Sequence, residues 1–176
     1  LVALWSVQAQ APGQTNHMRA ELLAEAPPEP GETLTLAFHF QPEPGWHGYW
    51  RNPGDAGAEP RVRWTLPPGF EAGPLLYPVP DRMTLLGLAN YVYEDDHALL
   101  AELRVPAAAE AGTRAPILAR LDYLVCTDEV CVPETAEVAT AIRIGAPAAR
   151  DPAFEAYRRA LPRPLGAEGR FEAVDG

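Results

Sequence analysis

The chain has 176 residues, 47% of them hydrophobic and 22% charged, which excludes a disordered polypeptide and gives enough apolar material for a core of ordinary size. Its net charge is −10 and its cations are all arginines, so it lacks the basic face that nucleic acid requires and no nucleic-acid partner is expected. The excess of acid is read as a solubility device.

Leu1 to Ala11 is apolar in its first half and ends in Ala9-Gln10-Ala11, with small residues at the −3 and −1 positions of a signal-peptidase site. Residues 1–11 are accordingly expected to be the remnant of a signal peptide, and the mature chain to begin near Pro12 in an oxidising compartment. No later apolar run approaches the ~20 residues that cross a bilayer.

From there, 20 prolines and 14 glycines break the chain into strand-length pieces and argue against long helices. Met18 to Ala24 is the first such piece. Thr33 to Phe40 (T-L-T-L-A-F-H-F) places Leu34, Leu36, Phe38 and Phe40 on one face, the alternation of a half-buried strand. Asn52-Pro53-Gly54-Asp55 reads as a turn. Arg61 to Leu66, Tyr91 to Tyr93, Leu99 to Val105, Ile117 to Cys126 and Val138 to Ile144 read as further strands, with Leu99 to Val105 alternating less cleanly. About seven or eight short strands with regular turn signals predict an all-β, immunoglobulin-like antiparallel sandwich over residues 12–145.

After Gly145 the character changes. Residues 146–176 are expected to hold a linker, one short helix and the start of a following domain. Asp151-Pro152 supplies an N-cap and a first-turn proline, and Phe154, Tyr157 and Leu161 follow at helical spacing. Gly169 to Gly176 reads as a strand entering an Asp-Gly turn.

The chemistry is concentrated in Leu121 to Thr135 (L-D-Y-L-V-C-T-D-E-V-C-V-P-E-T), where two strands flank a tight connection. Cys126 and Cys131 are the chain's two cysteines, and a hairpin brings such a pair within the ~4.4–6.8 Å Cα separation that a disulfide needs. The residues leave two readings open, a hairpin staple and a redox pair. A loop of about six residues contributes only about 2 kcal/mol through chain entropy, which is modest for a domain of this size. Asp128 and Glu129 disfavour a thiolate, so a fast, indiscriminate thiol reagent is not expected.

The run C-T-D-E-V-C-V-P-E-T resembles the active-site hairpin of the N-terminal domain of DsbD, the periplasmic module of a membrane thiol:disulfide interchange protein. The blocks P-G-W-H-G-Y-W-R-N-P-G-D (Pro44 to Asp55), Y-P-V-P (Tyr77 to Pro80) and G-L-A-N-Y-V-Y-E (Gly87 to Glu94) are similar to its copper-tolerance-associated ScsB branch. The resemblance spans roughly His17 to Ile144 and implies an immunoglobulin-like fold in the periplasm, in the soluble part of an inner-membrane protein. It implies a protein-disulfide reductase that uses no cofactor beyond its own disulfide. Electrons would come through a transmembrane domain of the same protein and a thioredoxin-like domain. They would pass to periplasmic thioredoxin-fold partners such as disulfide isomerases, cytochrome c maturation factors or copper-tolerance factors.

By position, the resemblance makes Cys131 the sulfur of the mixed disulfide and Cys126 the one that resolves it. A shielding cap would fall at Met83 to Asn90, including Leu85, Leu86, Gly87 and Leu88. Trp46 and Tyr49 would be the aromatics beside the site, with Asp128, Glu129 and Glu134 its polar neighbours. The chain departs from the better-known DsbD branch in having four residues, not five, between the cysteines, and in a cap segment M-T-L-L-G-L-A-N without aromatics. Two other functions remain in view: an immunoglobulin-like binding module with a structural disulfide, and a copper-binding domain in which thiolates hold Cu(I). No histidine has metal-ligand spacing, His47 among the aromatics reads as packing, and no metal ligand is assigned.

Overall fold

The computed structural model describes residues 16–146 and 148–163, so the readings for Leu1 to Ala11 and for Gly169 to Gly176 lie outside the described residues. Alternation of apolar and polar residues sets the architecture. On β2 (Thr33–Pro42), Leu34, Leu36, Phe38 and Phe40 all point inward and are at most 6% exposed. β2 lies between β1 (Met18–Ala24) and β8 (His97–Arg104), and the two-residue β5 (Glu71–Ala72) completes an antiparallel sheet of order β1-β2-β8-β5. Facing it is a second sheet of order β10-β9-β4, made of β4 (Arg61–Thr65), β9 (Arg114–Cys126) and β10 (Cys131–Arg143). Ile117, Leu121, Tyr123, Val125, Val138 and Ile142 of this sheet meet Phe38, Phe40, Leu99 and Leu103 of the first in one core. This is the immunoglobulin-like sandwich.

A third small sheet, β3-β7-β6, is formed by β3 (Gly48–Gly54), β7 (Leu88–Tyr93) and β6 (Asp81–Leu85). Here the structure corrects the sequence reading: Asn52-Pro53-Gly54 is not a free turn but the bulged end of β3. Tyr49 pairs with Val92 and Gly54 with Asn90, so three extra residues are accommodated in between. Gly54 has φ +89°, and a Cβ there would lie 2.2 Å from the Ala89 carbonyl oxygen, so the bulge needs glycine.

The short helix α1 (Ala153–Arg159) forms where expected, and the Asp151 carboxylate accepts from the Ala153 N–H at 2.9 Å. It packs on the outer face of the first sheet, burying Phe154 completely against Ala37, Ala98 and Leu100. Arg158 pairs with the buried Glu25 carboxylate, which it holds below the usual carboxylate range.

Candidate functional site

The β9–β10 hairpin runs without a register slip from Arg114↔Arg143 to Cys126↔Cys131. Beyond the cysteines the chain reverses through Thr127 to Val130, with the Thr127 N–H donating to the Val130 carbonyl at 2.8 Å. The Thr127 hydroxyl oxygen accepts from the N–H groups of Glu129 and Val130, both at 3.1 Å, which leaves Asp128 and Glu129 exposed at the tip.

Cys126 spends both of its backbone groups on the opposite neighbour. Its N–H donates to the His47 carbonyl at 3.0 Å, and its carbonyl accepts from the His47 N–H at 2.9 Å. Towards Cys131 it is therefore a non-hydrogen-bonded pair, the register position at which antiparallel strands come closest. The Cα–Cα separation is 4.1 Å, somewhat shorter than the separation expected for the hairpin, and the two sulfurs are bonded.

The two sulfurs differ in access. Inward-facing positions of β9 are the odd-numbered ones, Ala115 to Val125, so Cys126 points away from the core. It is nevertheless only 1% exposed, whereas Cys131 is exposed. The cover comes from outside: Tyr49 of β3 and Val92 of β7 form a buried cluster with Cys126, with Met83 of β6 and Leu124 packed against it. The third sheet thus lies over the buried sulfur and leaves its partner open.

The expected cap segment is the β6–β7 hairpin. Leu85 and Leu88 are its last pair, and Leu86 (φ +51°) and Gly87 (φ +84°) form a two-residue turn with both residues left-handed. Leu86 is 93% exposed, an unusual place for a leucine both in backbone and in solvent. Of the cap residues, Met83 reaches the Cys126 cluster; Asn90 is buried and its amide oxygen accepts from the Ala56 N–H at 3.0 Å. Tyr49 sits in the cluster, but Trp46 stacks on His17 with ring centroids 3.8 Å apart.

Glu134 is three positions from Cys131 and so faces inward. Its buried carboxylate accepts from the backbone N–H groups of His17 (2.6 Å) and Met18 (3.2 Å), fastening the start of β1 to the hairpin. His47 was read as packing, and the structure adds its tie to Cys126. It is 3% exposed, and its Nε2 lies 3.3 Å from the Tyr49 hydroxyl. Burial pushes its pKa down, against the opposing pull of Glu94 and Asp128, and burial raises that of Tyr49. Nothing in the local sequence links His47 to a cysteine 79 positions away; only the strand pairing does.

Residues 18–142 match the family described as thiol:disulfide interchange protein DsbD, N-terminal. The chain belongs to this family. The DsbD N-terminal family groups thiol:disulfide redox domains, and the bonded Cys126–Cys131 pair is consistent with that chemistry. Among solved structures, the N-terminal periplasmic domain of ScsB from Proteus mirabilis matches with a TM-score of 0.54 and 19% identity over 81% of this chain. The match covers 51% of the ScsB chain, so this chain spans about half of that structure. The DsbD N-terminal domain of Neisseria meningitidis in its reduced form matches with a TM-score of 0.42 and 17% identity, over 70% of this chain and 83% of that one. No curated protein matches the chain by sequence.

Proposed function

We propose that this domain is a periplasmic protein-disulfide reductase in which Cys131 attacks and Cys126 resolves. The observation that carries the reading is the unequal cover of two bonded sulfurs, one 1% exposed and the other open. In the dithiol state the Cys131 thiolate attacks a partner disulfide; that S–S bond breaks, a mixed disulfide forms and the first partner sulfur leaves as a thiolate. Cys126 then attacks the Cys131 sulfur, the internal disulfide closes and the second partner sulfur leaves. Two electrons have passed to the partner.

Family membership supports thioredoxin-fold partners and a periplasmic setting, and we assign the reducing equivalents to a thioredoxin-like domain fed through the membrane. Among the described residues no helix is long and apolar enough to cross a membrane. Met83, with Tyr49 and Val92, acts in this reading as the shield that keeps Cys126 from small oxidants.

Equilibration against glutathione redox buffers tests the proposal. The expected midpoint lies within the span of exchange proteins, about −120 to −270 mV. A disulfide that remains closed below about −300 mV is an inert staple and overturns it.

A further inference from the structure

Resolution requires a nucleophile from the less favourable of the two sulfurs. A buried thiol resists ionisation, the chain has no lysine, and the turn beside Cys126 carries Asp128 and Glu129. Left alone, Cys126 would stay protonated and the mixed disulfide would linger on the enzyme.

We propose that His47 is the base that takes the Cys126 proton in the resolving step, an inference that rests on the exchange reading above. The two residues are directly opposed across a pair of reciprocal backbone hydrogen bonds of 2.9 and 3.0 Å. Residues so paired project from the same face of the sheet with their Cβ atoms about 4.5–5.5 Å apart. Imidazole and sulfur are therefore neighbours beneath the same cover. The His47 side chain meets Tyr49 on its own strand and feels the charges of Asp128, from the β9–β10 turn, and of Glu94, which follows β7 in the register that pairs Gly48 with Tyr93.

Burial outweighs the two carboxylates and keeps the ring neutral at neutral pH, the form a base needs. In the tautomer that donates Nε2–H to the Tyr49 phenol oxygen, 3.3 Å away, the Nδ1 lone pair is free to take a proton. The step balances. The Cys126 S–H proton goes to His47, the Cys126–Cys131 bond forms, the Cys131–partner bond breaks, and the departing partner thiolate recovers a proton from the imidazolium.

Stopped-flow reaction of the reduced protein with 5,5′-dithiobis(2-nitrobenzoate) separates the two steps, because Cys131 and then Cys126 each release one thionitrobenzoate. For His47→Gln the expected result is an unchanged first phase and a second phase slowed roughly tenfold or more at pH 7, with its pH inflection moved upward. Superimposable second phases in wild type and variant overturn the role of His47. Absence of a second release in the wild type at any pH would sink the exchange reading itself, so the two failures are distinct. Should His47→Gln not fold, the wild type decides by NMR. The His47 imidazole is expected to titrate with different midpoints in the reduced and oxidised proteins, and identical curves overturn the inference.

Discussion

His97 illustrates how a single ring ties stability to acidity. It is stacked between Tyr93 (centroids 4.2 Å) and Phe40 (5.3 Å), its Nδ1 lies 3.0 Å from the Asp95 carbonyl, and burial pushes its pKa down to about 4. A histidine whose folded pKa lies below its unfolded value of about 6.5 takes up its proton more readily when the chain is unfolded. Its contribution is therefore complete above pH 6.5 and is lost as the pH falls from 6.5 towards 4. The wild type should lose roughly 3 kcal/mol over that window relative to His97→Phe, which keeps the stack and removes the proton. Urea midpoints measured at several pH values check this; parallel curves for the two proteins would contradict it. The same logic of cover explains the cysteines. The cover of Cys126 was not legible in the hairpin's own sequence, because Tyr49, Val92 and Met83 come from three other strands.

At the scale of elements, what could be read from the sequence follows which faces are wet. β2 was legible because its inner face alone is strongly apolar, whereas β8 alternates poorly because both of its faces are covered. Leu99 and Leu103 enter the core, while Ala98 and Leu100 lie under α1. β6 (D-R-M-T-L) escaped notice because only Met83 and Leu85 are apolar, and β3 because its Asn-Pro-Gly mimics a turn. The first half of β10 was legible through the hairpin reading of Leu121 to Thr135, and its Pro133 is tolerated because β10 is an edge strand. Phe154 is the fully buried anchor of α1. Phe154→Ala should cost about 3–5 kcal/mol if the helix remains docked, or release the helix altogether. Loss of amide protection over Ala153–Arg159 with the sandwich intact would identify the second outcome.

For the whole molecule, the sandwich is expected to stand without its disulfide. The bond closes a loop with a sequence separation of 5, worth about 2 kcal/mol of unfolded-chain entropy, against a core that runs through both sheets. Reduction should lower the melting temperature by only about 4–8 °C and leave the far-ultraviolet circular dichroism unchanged; global unfolding on reduction would mark the bond as a staple. Such independence suits the exchange role proposed above, in which the domain stays folded in both redox states.

The stitch between Cys126 and His47 has a mechanical consequence. The foot of β3 cannot swing away without breaking both main-chain bonds of the residue that carries the concealed sulfur. The far strands of the small sheet lack this tie, and Leu86 stands in solvent at their tip. A visitor to the exposed sulfur thus meets one wall that two main-chain bonds fasten to the hairpin.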